Sequence, residues 1–363
     1  MRKILFVVEA MGGGIVTYIV EMANKLSKNY DIYIAYGVRE QTPDNIEDYF
    51  NERVHLIKVA AFSREINLKK DFKAMTELKK LEKKIRPDII HLHSSKAGVL
   101  GRLVFSHNAK LFYTPHGYSF LMENISHKKQ NFYRLVEKAC TLRKCVIIAC
   151  SPSEYEETLS LTKNSTCVSN GIDMKEIDDI LKEQTDIEKE KVFTVVTLGR
   201  VSNQKNPQLF NRIAQKFPNV KFVWIGKGEL ENELTAKNIE VTGWLKRKDA
   251  LKRMAQADAF ILPSRYEGLP MALLEAMYLK KPCIVSNVVG NKDVISERNG
   301  FLCTTFDDYA SAVKRVLNGD YDKEKIRNAY DDILNTYNTD VMTKEYSQIY
   351  DRALEGQLKG YVG

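Results

Sequence analysis

The sequence predicts an α/β protein built as two successive parallel-sheet domains. Short apolar runs alternate with stretches of helical period from the amino terminus onward, the rhythm of β-α-β units. That rhythm pauses in a charged stretch over residues 174–191 and then resumes. The chain of 363 residues is long enough for two domains of ordinary size, and its 44% hydrophobic and 28% charged content suits proteins that bury real cores.

In the first series, apolar runs over 4–8, 32–35, 89–92, 111–113 and 146–149 read as strands, and 15–26 reads as the first helix. The second series places strands over 193–198, 221–225, 240–242, 259–262 and 283–286, with a helix over 271–280. The expected organisation is a first Rossmann-like domain over 1–173, a linker over 174–191, a second such domain over 192–338, and a helical segment over 339–363 that packs back on the first domain. The best ligand site of such a pair is expected in a cleft between them.

No apolar run reaches the length of a membrane span, and the run before Glu9 is too short for a signal peptide. The six cysteines show no zinc spacing and several lie in apolar runs, so reduced, buried thiols in a cytosolic protein are expected. Between Arg64 and Lys144 there are 18 Lys and Arg against 7 Asp and Glu. Such an excess seeks an acidic partner. Nucleic acid is disfavoured because no helix-turn-helix, zinc-finger or aromatic RNA-binding pattern accompanies it. An anionic membrane surface fits better: Lys128, Lys129, Arg134, Lys138, Arg143 and Lys144 interleave with Phe132, Tyr133, Leu135 and Val136 in a helical pattern, though an ordinary docked helix has the same look.

The chemistry-bearing residues cluster at strand ends. Gly12, Gly13 and Gly14 follow the first strand and open a helix, where a backbone without Cβ lets a phosphate approach N–H donors; a G-x-G-x-x-G fingerprint is absent. Ser94, Ser95 and Lys96 open another helix and offer a second anion site. His116 follows a strand in Thr-Pro-His-Gly, and His91 and His93 share one strand face, a pattern of structural histidines or, less naturally, of a metal pair. The second domain opens on Gly199, Arg200 and Lys205, with Pro207 starting a helix, and two cations beside a helix amino terminus suit a diphosphate clamp, although ordinary surface cations on a loop have the same pattern. Glu267 and Glu275, eight positions apart, straddle a loop-to-helix junction after the strand over 259–262. Ionised carboxylates there suit a hydroxyl-rich ligand, although the spacing alone also describes solvated helix glutamates.

Taken in order, Gly12 to Gly14, Thr114 to Gly117, Gly199 and Arg200 with Lys205, Gly226 with Gly228, and Pro263 and Ser264 leading into the Glu267 to Glu275 element resemble a GT-B glycosyltransferase of family GT4 over nearly the whole chain. The run from His93 to Arg102 is similar to enzymes of capsule, O-antigen and exopolysaccharide assembly. The resemblance implies two Rossmann-like domains facing across a cleft, a UDP-sugar donor on the second and a lipid-linked saccharide acceptor on the first. It implies that Arg200 and Lys205 stabilise the leaving diphosphate, that Glu267 positions the transferred sugar and His116 contacts it, and that Glu275 accepts from the ribose. Gly12, Gly13, Gly14, Lys96, Gly199, Gly226, Gly268, Leu269 and Pro270 complete the expected binding set. Retention of anomeric configuration and the absence of any bound metal or other cofactor are implied too, with a location on the cytoplasmic face of the membrane. One departure stands out: where the family usually has Gly-Gly-x-x-Glu, this chain has Val289, Gly290, Asn291, Lys292 and Asp293. Two alternatives use the same architecture, a UDP-sugar 2-epimerase and a non-catalytic sugar-nucleotide-binding partner.

Overall fold

The structure, a computed structural model, describes residues 1–63, 66–183 and 192–358. Two compact units emerge, Met1–Asn170 joined by Thr339–Gly363, and Gly171–Asn338.

The first unit is a seven-stranded sheet of β1 (Arg2–Met11), β2 (Tyr30–Val38), β3 (Val54–Lys58), β4 (Ile89–His93), β5 (Lys110–Thr114), β6 (Val146–Ala149) and β7 (Ser165–Cys167), in the order β3-β2-β1-β4-β5-β6-β7 and parallel throughout. Ile4, Leu5, Phe6, Val7 and Val8 of β1 are all fully buried, as a parallel strand covered on both faces requires. The helices are α1 (Gly14–Leu26), α2 (Leu68–Ile85), α3 (Ser95–Val104), α4 (His127–Cys140) and α5 (Pro152–Leu161). Helix α3 lies tight on the sheet because it presents glycines there: a Cβ on Gly98 would stand 2.5 Å from the Tyr113 ring, and one on Gly101 would stand 2.4 Å from Leu92.

The second unit starts with α6 (Met174–Lys182), followed by β8 (Thr194–Leu198), α7 (Pro207–Lys216), β9 (Lys221–Ile225), β10 (Ile239–Val241), α8 (Arg247–Gln256), β11 (Ala259–Leu262), α9 (Met271–Tyr278), β12 (Cys283–Ser286), β13 (Phe301–Cys303), α10 (Phe306–Asn318) and α11 (Glu324–Asn335). Its parallel sheet runs β10-β9-β8-β11-β12-β13 around a core of Val195, Phe210, Phe222, Trp224, Ile261 and Ile284. The final helix, α12 (Thr339–Leu354), belongs to the first unit and packs on α1. Its Tyr346 and Tyr350 are fully buried, Tyr18 donates to the Tyr346 hydroxyl at 2.7 Å, and the Tyr350 hydroxyl meets His91 Nδ1 at 2.6 Å.

The stretch expected as a linker differs along its first half. Asp173 caps α6 by accepting from the N–H groups of Lys175 and Glu176, and α6 is then held within the second unit by Glu176 to Arg247 of α8 and by Tyr278 of α9 donating to Asp178. The cap and these contacts add to the burial of Ile177 on the helix's apolar face. Residues 184–191 of that stretch lie outside the described residues, as do 359–363 of the expected C-terminal segment. Strands β3 and β7 went unread in the sequence because they lie at the sheet edges and mix polar with apolar residues, and β13, also at an edge, because it is only three residues long.

Candidate functional site

In each sheet the strand order reverses once, and that reversal opens a crevice at the carboxyl ends of the strands where ligands bind in such folds. In the second unit it falls between β8 and β11. The loop after β8 carries Gly199, Arg200 and Lys205, and the loop after β11 carries Glu267, Gly268, Leu269 and Pro270. The structure stitches these loops together. Lys205 Nζ lies 2.6 Å from Glu267 Oε1, Gln204 donates to Glu267 Oε2 at 3.2 Å and to the Tyr266 carbonyl at 3.1 Å, and the Arg265 N–H donates to the Gln204 carbonyl at 2.8 Å. Both members of the Lys205–Glu267 pair are largely buried, so the pair is weakly screened.

Two further loops press on the loops that carry this pair. Gly226, after β9, takes φ 139°, and a Cβ there would stand 2.2 Å from the Gly199 carbonyl oxygen. Only glycine fits so close a backbone crossing. Gly290, after β12, takes φ 85° against the Gly268 carbonyl, and Glu267 donates its N–H to the Val289 carbonyl at 3.2 Å. Asp293, the residue that departs from the Gly-Gly-x-x-Glu pattern, accepts from the Gly290 N–H at 3.1 Å and so closes its own loop. Arg200 reaches Glu229 at 2.9 Å, on the same rim as Lys205 but with a different carboxylate.

Helix α9 is buried at every residue, Glu275 included. Burial pushes the Glu275 carboxyl up, and Arg247 of α8, 2.5 Å away, opposes that shift. The two glutamates therefore do not share a partner: Glu267 holds Lys205 and Glu275 holds Arg247. Arg247 was missed in the sequence, since nothing in the spacing of two residues 28 apart marks them as a pair.

In the first unit the reversal falls between β1 and β4. Gly12 and Gly13 follow β1, Gly13 at φ 61°, and Gly14 opens α1. Ser94 and His116 follow the neighbouring strands β4 and β5, and both hold left-handed backbone, at φ 79° and 55°. Such conformations in non-glycine residues cost about 1 to 3 kcal/mol each and cluster at functional sites. His116 Nε2 lies 3.1 Å from His93 Nδ1, with the Tyr18 ring edge-on at 4.6 Å. Burial pushes the His116 imidazole down to about 3, so at neutral pH it is an uncharged hydrogen-bonding ring.

His91 is bonded to Tyr350 and, at 2.9 Å, to Thr114, so it serves the packing of α12 and β5. Among the described residues no group of three or more His, Cys, Asp or Glu is placed to hold a metal. Lys96, expected as an anion site, is paired with Asp71 of α2 at 2.8 Å and bonds the Ser63 carbonyl at 2.5 Å. The basic face also differs from the expectation. Arg134 pairs with Glu157, Lys138 bonds the Leu161 carbonyl, and Arg143 bonds the carbonyls of Phe105 and Ser106, all within the unit, whereas Lys128, Lys129, Phe132 and Leu135 are exposed.

Residues 12–176 match the family model described as Glycosyltransferase Family 4, and residues 177–332 match Glycosyl transferases group 1. A UDP-Gal:alpha-D-GlcNAc-diphosphoundecaprenol alpha-1,3-galactosyltransferase of Escherichia coli is 31% identical over 81% of this chain and 82% of its own. The capsular polysaccharide biosynthesis glycosyltransferase CapM of Staphylococcus aureus is 25% identical over 90% of this chain and 91% of its own. Among solved structures, a sucrose-phosphate synthase from Thermosynechococcus elongatus superposes with a TM-score of 0.83 at 18% identity, covering 98% of this chain and all of that one. Anabaena HepE in complex with UDP and glucose superposes with a TM-score of 0.76 at 17% identity, covering 96% and 99%.

Proposed function

Because this chain belongs to the group 1, family 4 glycosyltransferases and has the GT-B type of fold, we propose that it transfers a hexosyl or N-acetylhexosaminyl group from a UDP-sugar to a polyprenyl-diphosphate-linked saccharide, with retention, in surface polysaccharide synthesis. The epimerase and non-catalytic alternatives give way to the family assignment. The observation that carries the donor half is the Lys205–Glu267 pair across the crevice of the second unit. A cation at that rim stabilises charge as it builds on the leaving diphosphate, and no metal is needed for that task. Arg200 adds a second cation, Glu267 orients the sugar while it steers Lys205, and Glu275 accepts from the ribose. The bond from the anomeric carbon to the diphosphate breaks with its electron pair leaving on UDP. The acceptor oxygen bonds to the same face, and its proton passes to the departing phosphate. Neutral His116 donates to or accepts from the sugar without exchanging a net charge.

The acceptor half draws on the named substrate of the Escherichia coli relative and on the strained residues at the first unit's crevice. A panel of UDP-sugars, with and without membrane lipid extract and in the presence of EDTA, tests the whole reading: slow UDP release with one sugar, accelerated by extract, is expected. No release with any UDP-sugar removes the donor class.

We further propose that the first unit rests on the inner face of the cell membrane. No helix among the described residues is long and apolar enough to cross one. The support is an outward face on α4 that joins Lys128 and Lys129 to Phe132 (55% exposed) and Leu135 (67%). Helix α3 packs between α4 and α2, and α2 adds exposed Leu68 and Phe72 beside Lys69, Lys70 and Lys73. Changing Lys128 and Lys129 to Gln and Phe132 and Leu135 to Ser together is expected to weaken binding to phosphatidylglycerol vesicles more than about tenfold at low salt. Equal binding by the altered and natural proteins removes the membrane assignment.

A further inference from the structure

One guanidinium serves two carboxylates behind the donor crevice. Arg247 Nη1 reaches Glu275 Oε1 at 2.5 Å, while its Nε and Nη2 both donate to Glu176 Oε2 of α6, at 3.0 and 2.9 Å. The three side chains differ in depth: Glu275 is 4% exposed, Arg247 16% and Glu176 36%. A carboxylate as deep as Glu275 stays ionised only with a partner, and a neutral carboxyl loses the charge-assisted acceptance of hydroxyl protons. Nothing in this geometry holds Arg247 for Glu275 alone.

We propose that Arg247 is a positioning residue for the donor, holding the Glu275 carboxylate ionised and aimed at a vicinal diol, with Glu176 setting how much of the guanidinium Glu275 receives. This rests on the reading that Glu275 binds the ribose of UDP. The electrostatics run the same way: burial raises the Glu275 carboxyl, the charge and hydrogen bond of Arg247 lower it, and Glu176 raises it again. The other titratable groups packed against α9 are engaged elsewhere. Tyr278 donates to Asp178 and stacks on Tyr330 of α11, and the Cys283 thiol of β12 turns to the Lys281 carbonyl at 3.2 Å.

Ionised Glu275 supports UDP binding above its pKa in the folded protein, and that support fades as pH falls through it. Arg247→Gln raises this pKa and Glu176→Gln lowers it, so the two variants move the acid limb of UDP affinity in opposite directions. Calorimetric titration of UDP across the acid-to-neutral range is expected to show Arg247→Gln binding about tenfold more weakly near neutral pH, with recovery as pH rises and substantial rescue by Arg247→Lys. Glu176→Gln, at the half-exposed end of the network, carries the test if Arg247→Gln does not fold. An acid limb unmoved in Glu176→Gln, or in a folded Arg247→Gln, overturns the proposal. Glu275→Ala separates the premise from the inference. If it binds UDP as the natural protein does, the ribose reading falls and takes the proposal with it. If it alone weakens binding, the ribose reading stands and the role of Arg247 falls.

Discussion

Lys205→Ala is expected to lower turnover of the accepted UDP-sugar by about 100- to 1,000-fold, the usual loss when one preorganised donor to a developing negative charge is removed. The structure adds a second consequence. Lys205 is the cation 2.6 Å from a Glu267 side chain that is 6% exposed, so its removal leaves that carboxylate, among the described residues, with the neutral Gln204 amide at 3.2 Å. Lys205→Ala therefore also disturbs the loop that carries Gly268 to Pro270. Glu267→Gln, which keeps the shape and lets the lysine go, is expected to retain more activity than Lys205→Ala if the cation acts on the leaving group. Steady-state UDP release by the three proteins decides this. Equal rates for Lys205→Ala and the natural enzyme would remove Lys205 from the chemistry.

The second large effect is on stability. Arg102 of α3 and Glu137 of α4 form an ion pair at 2.6 Å with side chains 1% and 5% exposed. Arg102 also donates to the Gly98 carbonyl at 2.8 Å and lies over the Tyr113 ring, whose hydroxyl donates to the other Glu137 oxygen at 2.9 Å. Removing one member of such a pair strands its partner's charge in the interior. Arg102→Ala is expected to destabilise the first unit by about 3 to 5 kcal/mol, whereas Arg102→Met with Glu137→Leu costs much less because no charge is left behind. Urea denaturation of the single and double variants measures the difference. A single variant within about 1 kcal/mol of the natural protein would contradict the pair's burial.

Much of the fold was legible because its signals are local. The strand at 146–149 matches β6 residue for residue, and the runs read over 4–8, 89–92 and 259–262 fall within or on β1, β4 and β11. Gly199 and Gly226 were read directly after their strands, and Glu267 on the loop and Glu275 on the helix that follow β11, for the same reason. The strain at Ser94 and His116 left no trace in the sequence, since both residue types sit comfortably in ordinary loops. Arg134, Lys138 and Arg143 were read as part of a membrane-facing face, yet each is engaged inside its own unit. Helical period locates a charge on a face but not what that face meets.

The order of strand, glycine loop and helix was determined by the sequence itself, because apolar period, glycine at backbone crossings and proline at helix starts act over a few neighbours. The tertiary structure alone decided which charge answers which. Lys205 and Glu267 are 62 positions apart, Arg247 and Glu275 28, and Arg247 and Glu176 71. Coulomb attraction depends on distance in space, and that distance exists only once β8 and β11 lie side by side and α6 and α9 both pack against α8.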